Sequence, residues 1–525
     1  MTAVEEAVSP RWATEPFIMG SRDEFARLRS WLSSVGYTEP ELCTKAGAES
    51  IGRLKSLDAG RTVFSQPVDA QSLLVLLFLD GKRFPWPVVR EVLSPDELSI
   101  LTALGILQNA VIDPRLCVAS LALFPSEDLY VASDRLSGME IFGKGLPADL
   151  VYSPLTSEAR RFVGLMPRVP CESYLEMCAG TGIAALHAAK KFARYAYAAD
   201  ITERSTRFAQ FNAALNGLEN FTAVQGDLYE PVAGKTFDLI SAHPPYVPSE
   251  ATEMVFRDGG ADGEQITRRI LAGLDEFLAP GGLFYLDCVM TDRDNDPIEQ
   301  RIRRMLGPSE DEFDVVVIRS GTVETKVYQA ERLQAGRMTP EAFLRQAALF
   351  KQRGIARLVA ITALVQRRTT ARSVVTRHRT LSGETRAEDL LWLLRYLTGT
   401  VEWGEEDVNR LLDSHPRALP FAELRVRSVL RDGVWTPVDS KIETVAPFAT
   451  VSPCPPWFPV LLSRCDGRAT AREQLDRLRL DGIIPDTTTN EDFAQLIREL
   501  ADVPFFELEL FPLPPMPERN PTTIA

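Results

Sequence analysis

The chain has 525 residues, 45% of them hydrophobic and 25% charged, with a formal net charge of −14. That length suits two to four domains with sizeable cores, and the composition is that of an ordinary soluble fold. The acidic balance argues against nonspecific nucleic-acid binding. Seven scattered cysteines without a C-x-x-C, and only four histidines, argue against a structural zinc site and for a reducing compartment. No apolar run approaches the ~18 residues of a membrane span. The acidic start, MTAVEEAVSP, lacks the basic region and apolar core of a signal peptide. A cytoplasmic protein with no membrane partner and no metal is expected.

Residues 1–20 read as a mobile tail and 21–140 as a first domain, mostly helical. Asp23 to Val35 has helical periodicity behind a Ser/Asp start. Ser72 to Phe78 (SLLVLLF) is apolar enough to be buried, and Pro87 to Val92 and Pro95 to Leu107 read as two more helices. Leu116 to Phe124 and Leu129 to Ala132 flank Pro125-Ser-Glu-Asp128, a hairpin signal. Helices followed by a hairpin suggest a winged-helix-like module. Its lack of basic character suits docking or substrate selection at least as well as nucleic-acid binding. In Tyr152-Ser-Pro-Leu-Thr-Ser-Glu158, Thr156 and Glu158 either touch a ligand or start a helix at Ser157.

A central α/β domain, 141–368, is organised by four apolar runs that each end in a polar or glycine-rich tip, the pattern of a parallel sheet with its site at the strands' carboxyl ends. Ser173 to Met177 carries Glu176, then Cys178, Gly180 and Gly182, then a helix from Ile183 to Ala193. Glycines there let backbone approach a ligand, and the helix N-terminus favours a carboxylate or phosphate. Tyr195 to Ala199 ends in Asp200, followed by Ile201. An acid there can accept both hydroxyls of a ribose or simply cap a helix. The third tip, Gly226-Asp227-Leu228, places a carboxylate where an adenine amine could meet it. The fourth is His243-Pro244-Pro245-Tyr246, after a strand from Asp238 to Ala242. Two prolines force an extended backbone with no N–H of its own. Its carbonyls beside an aromatic ring suit a planar amine or amide that donates hydrogen bonds.

Together the four tips resemble the class I S-adenosylmethionine (SAM) methyltransferases, and within them the Asn-Pro-Pro-Tyr group that includes the HemK-type release-factor glutamine methyltransferases and several RNA and DNA amine methyltransferases. The resemblance covers about a quarter of the chain, Val151 to Asp287, and includes Arg257-Asp-Gly-Gly-Ala-Asp-Gly263, which resembles the Gly-Gly-x-Asp-Gly segment that follows the tetrapeptide in the HemK type. It implies a Rossmann-like sheet and SAM as cofactor. Glu176, Cys178, Gly180 and Gly182 would lie about the methionine part, Asp200 and Ile201 about the ribose, and Asp227 and Leu228 about the adenine. His243, Pro244, Pro245 and Tyr246 would orient the acceptor, with Tyr152 or Phe256 closing the pocket. Two departures stand out. Cys178 replaces the usual glycine and reads as packing. His243 replaces Asn or Asp; a neutral imidazole can accept a hydrogen bond from an NH2 group or act as a base toward a hydroxyl. Three readings follow: an N-methyltransferase of a macromolecular acceptor, protein ahead of RNA; a small-molecule N- or O-methyltransferase with His243 as base; and a non-catalytic SAM-binding interaction protein.

Beyond the fourth tip, Ile266 to Leu278 reads as a helix, Pro280-Gly-Gly282 as a turn, and Leu283 to Asp287, Phe313 to Arg319 and Leu358 to Val365 as strands. Residues 339–353 read as a helix behind a Thr-Pro cap, and 320–338 as an insertion. The stretch 366–380 is basic, either a solvated linker face or a contact for nucleic acid or an acidic partner. Residues 381–512 read as a C-terminal α+β, winged-helix-like module. Its helices are Ala387 to Leu397, Glu405 to Leu412, Phe458 to Ser463, Ala471 to Leu478 and Asn490 to Leu500. Its strands are Arg425 to Val429, Ile442 to Ala446 and Phe505 to Leu510. Residues 513–525 are a proline-rich tail.

Overall fold

The computed structural model describes residues 16–54, 63–111, 113–135, 147–249, 254–293, 295–334 and 338–515. The chain divides into two compact units, one of Met1–Asp294 with Glu324–Leu358 and one of Asn295–Val323 with Val359–Ala525.

The first unit is built on five parallel strands: a first (Cys171–Met177), second (Ala193–Asp200), third (Phe221–Gln225), fourth (Phe237–Ala242) and fifth (Leu278–Asp292), in the spatial order third, second, first, fourth, fifth. The first strand is thus central, and its apolar run Tyr174–Met177 is wholly buried. Helices Ile183–Lys191 and Glu203–Asn216 connect the first three strands. The expected helix 266–278 is two pieces, Gln265–Ala272 and Leu274–Phe277. The glycine turn at 280–282 falls inside the fifth strand, where the pairing shifts register between Leu278 and Leu283 and Gly281 has φ +79°.

Ahead of this sheet come helices Arg22–Ser34, Glu39–Ala46, Trp86–Val92 and Pro95–Ala103. Ser21 and Glu24 cap the first of them reciprocally. Ser72 to Phe78 is helical and buried, as its apolar run dictates. Leu116 to Phe124 is not one strand. It breaks between Asp113–Ala119, which pairs with Leu107–Ala110, and Ala122–Ser126, which pairs with Leu129–Ser133 around the expected turn. The expected tail ends before residue 20. Phe17 is buried, with its ring 4.5 Å from Phe211 and 5.0 Å from Phe208, and Ile18 N donates to Leu104 O. Residues 1–15 lie outside the described chain.

Two asparagines on helix Glu203–Asn216 hold the hairpin. Asn212 accepts from Ala132 N and donates to Ala132 O; Asn216 does the same with Tyr130. Each side-chain amide thereby continues the edge of the strand, which would otherwise leave buried backbone groups unpaired. Helix Ser157–Leu165 starts at Thr156, which accepts from Ala159 N, so Thr156 is engaged as a helix cap. Helices Thr325–Gln334 and Pro340–Gln352 also belong to this unit, the second behind the expected Thr339 cap.

In the second unit, Phe313–Glu324 pairs in parallel with Thr376–Leu381, which pairs antiparallel with Phe448–Pro453. The expected strands near 425 and 442 are longer, Ala422–Arg431 and Val434–Thr444, and form one hairpin. The last strand shrinks to Phe506–Glu507. Helices Ala387–Thr400, Glu405–Leu412, Trp457–Arg464, Ala471–Leu480 and Asn490–Asp502 fall where periodicity places them. The basic stretch is internally engaged: Arg367 pairs with Glu312, Arg372 with the buried Asp314 and Arg379 with Asp502, while Arg368 donates to Asp311 O. Residues 516–525 lie outside the described chain.

Candidate active site

Strand register brings the four tips level. Met177 pairs with Ala199 on one side and Ala242 on the other, Asp200 pairs with Gln225, and Ala242 with Leu286. The residues one step on, Cys178, Gly226, His243 and Asp287, therefore follow the paired strand ends on one edge of the sheet.

The first tip is a tight strand-to-helix turn. Cys178, Gly180 and Gly182 all have positive φ (+55°, +54° and +74°). A Cβ on Gly182 would lie 3.0 Å from Ala209 Cβ, so that glycine lets two helices close; a Cβ on Gly180 would meet nothing within 4 Å and would fill open space at the tip. Cys178 bears the one side chain in this strained trio, and burial pushes its thiol well above the ordinary range. Glu176 is buried beneath the turn and accepts from Ala185 N at 2.7 Å, inside the first turn of the helix. Loss of water pushes its carboxyl up to about 8, although the helix amides oppose that shift. Asn212 donates to Thr181 O at 3.0 Å and so ties the turn to the hairpin.

Asp200 accepts from Gly180 N at 2.9 Å and from Thr202 N at 3.0 Å, linking the first and second tips. Burial raises its carboxyl above the usual range. Ionised, it has further lone pairs for a diol. Ile201 beside it is 52% exposed. Asp227 is held by both Nη atoms of Arg269, at 3.1 and 2.8 Å, and Leu228 follows with φ +55°.

At the fourth tip, Gly259 and Gly263 lie directly on the proline turn. A Cβ on Gly259 would stand 2.7 Å from Pro245 O and 2.8 Å from Tyr246 Cα; one on Gly263 would stand 2.4 Å from Tyr246 O. Val247 N donates to Arg257 O and Gly259 N to Val247 O, which seals the two segments together. Pro245 O thus faces the glycine segment. His243 sits on Phe162, centroids 5.4 Å apart, with Phe162 in turn on Tyr285 at 5.5 Å, and it meets the edge of Tyr246 at 5.8 Å. Its Nδ1 is 2.7 Å from Asp287 O. Burial pushes the Tyr246 phenol well up, so it stays neutral. Tyr152 and Phe256 stack face to face at 5.0 Å. Arg161, which donates to the Asp287 carboxylate at 2.8 and 2.7 Å, Arg269 and Asn212 carry no local signal in the sequence that would single them out.

Residues 159–310 match the family described as methyltransferase small domain. A protein of Methanocaldococcus jannaschii, provisionally named a protein N5-glutamine methyltransferase, is 34% identical over 139 residues, which cover 25% of this chain and 69% of that protein. This chain belongs to the SAM-dependent methyltransferase family. The release factor glutamine methyltransferase of Moorella thermoacetica is 37% identical over 22% of this chain and 47% of its own length. The ribosomal protein uL3 glutamine methyltransferase of Bradyrhizobium diazoefficiens is 36% identical over 21% and 39%. The chain spans less than half the length of these last two. SAM is therefore the cofactor of this methyltransferase, and two features are compatible with it: open space over Gly180 at the first tip, and a half-buried carboxylate, Asp200, at the end of the second strand. Among the described residues no cluster of His, Cys, Asp or Glu is arranged to hold a metal, and no helix is long and apolar enough to cross a membrane.

Proposed function

We propose that this methyltransferase acts on a nitrogen of a macromolecular acceptor, a glutamine-like side-chain amide of a protein foremost and a nucleobase amine second. The observation that carries the reading is the proline turn at the fourth tip, against which Gly259 and Gly263 pack so closely that neither leaves room for a Cβ. The names of the curated relatives, which methylate release factor and uL3 glutamine, support a protein acceptor.

SAM supplies a methyl group already activated by its sulfonium. The chain's own residues bind, orient and exclude water. Glu176, Cys178, Gly180 and Gly182 would hold the methionine part, Asp200 and Ile201 the ribose, and Asp227 with Leu228 the adenine. Arg269 fixes the Asp227 carboxylate plane. His243 and Pro244 O would accept from the acceptor's NH2 group while Tyr246 offers a face to the charge that develops on nitrogen. Pro245 serves the turn's shape, since its oxygen faces Gly259. The Tyr152–Phe256 stack would cover the pocket.

Tritiated SAM, the purified chain and a lysate of its source cells test this, with protease and nuclease digestion of the product. Protease-sensitive label is expected. Label confined to small molecules, or SAM binding with no transfer, would overturn the reading in favour of a His243-assisted small-molecule enzyme or a SAM-binding interaction protein.

A further inference from the structure

We propose that the helix pair Thr325–Gln334 and Pro340–Gln352 is a docking wall beside the fourth tip, and that it takes an acidic stretch of the protein acceptor with apolar side chains among its carboxylates. The inference rests on the reading above, in which the fourth tip receives a protein amide, and it adds what selects that protein. One glutamine side chain is like another, so selection must come from the residues around it. Contacts remote from the reacting atom also supply the binding energy that aligns it for transfer.

The pair is tied together and to the tip. At its base Thr325 donates through both N and Oγ1 to Ala356 O, at 3.0 and 3.1 Å. Farther along, Gln329 is buried and its Nε2 donates to Phe343 O and to Gln346 Oε1, both at 3.4 Å, so one amide joins the two helices. Gln346 Nε2 in turn donates to Pro248 O at 3.5 Å, two residues past Tyr246. Tyr328, on the first helix, lies near that tyrosine: burial is the main reason the Tyr246 phenol is raised, and Tyr328 adds to it. The Arg332 guanidinium sits over the Tyr328 ring, 5.5 Å from its centroid. The helix pair thus brings a cation into the neighbourhood of the tip.

Its charge runs against that of the chain. From 324 to 358 the described residues include six Lys or Arg and three Glu, whereas the whole chain carries −14. Arg357 is bound to Asp292. Lys326, Lys351 and Arg353 are exposed and have no ion-pair partner among the described residues. Arg345 is exposed too, and acts on Glu341 one turn back. The arginines of the basic stretch differ, since Arg367, Arg372 and Arg379 are each paired with an acid. Exposed cations of this kind steer and orient an anionic partner. Val327, Leu333 and Leu344 are exposed on the same two helices, which suits a partner that mixes carboxylates with apolar side chains. RNA would bring phosphates for the cations and bases for aromatic faces. The pair's described rings offer no exposed face for a base: Tyr328 and Phe343 are half-buried and Phe350 is buried. Peptide is therefore the better fit.

The test is fluorescence anisotropy on the full chain with SAM bound. The probes are a fluorescein-labelled peptide rich in Asp and Leu, the same peptide with Lys for every Asp, and single-stranded oligouridylate. The acidic peptide should bind tightest, and its affinity should fall as salt rises. The triple variant Lys326→Glu, Arg345→Glu, Lys351→Glu should weaken that peptide at least about 10-fold and keep the SAM-induced rise in melting temperature, which shows that it folds. Equal affinity of wild type and folded variant for the acidic peptide overturns the proposal. So does an acidic peptide bound no better than the Lys peptide, or tighter binding of oligouridylate that the variant loses. If the triple variant does not fold, Arg345→Gln and Lys351→Gln take its place, each expected to weaken binding about 2–5-fold. Failure of the methylation reading is separate: it appears as absent protein label in the lysate assay and leaves the binding result standing.

Discussion

Glu176 is a buried carboxyl. Its folded-state value near 8 lies above the ~4.3 of an unfolded chain. The folded protein therefore binds that proton more tightly, and the associated stability is complete below about pH 4.3 and is lost as pH rises to about 8. Glu176→Gln keeps an acceptor for Ala185 N and cannot ionise. Urea melts at several pH values should show that the variant lacks this part of the decline; parallel curves would contradict it. Gly259 makes a second prediction at this scale. Alanine there would press into Pro245 O and the Tyr246 backbone, costing about 1–3 kcal/mol as overpacking does. Denaturant midpoints should fall, and methyl transfer should fall further than SAM affinity, since the cofactor tips are untouched. His243→Asn in the same assay should retain transfer to within about tenfold, because an amide oxygen replaces the imidazole lone pair; loss of several orders of magnitude would mean proton transfer through His243.

Among elements, the joint between hairpin, helix Glu203–Asn216 and glycine turn hangs on one side chain. Asn212→Ala would leave Ala132 N and O and Thr181 O short of a partner, a loss of about 1–3 kcal/mol. SAM affinity should weaken in step, which calorimetric titration can check; unchanged affinity would mean the turn holds its shape without the amide. The elements show why some of the site could be read directly from the sequence. The tips announce themselves locally, as apolar strands ending in Gly, Asp or Pro-Pro, and strand register then sets them level. The partners that tune them are distant: Arg161 lies 126 residues from Asp287, Asn212 80 from Ala132 and Arg269 42 from Asp227. No spacing rule links such pairs. The pairing of the basic stretch is hidden for the same reason, because its acids lie in other segments: Glu312 and Asp314 come before it and Asp502 far beyond.

For the whole molecule, a cofactor that binds only the folded chain stabilises it by mass action, about 2.7 kcal/mol at a hundredfold excess over Kd. Thermal melts with and without SAM should show that upward shift. Asp200→Ala should abolish most of it, since Asp200 joins the first two tips through Gly180 and Thr202. An equal shift in the variant would place the cofactor elsewhere. The most direct measurement is the position of the methyl group itself, by tandem mass spectrometry of the labelled acceptor. The account predicts one added methyl on an amide nitrogen, a glutamine side chain foremost. A methyl on a hydroxyl or carboxyl oxygen would contradict it.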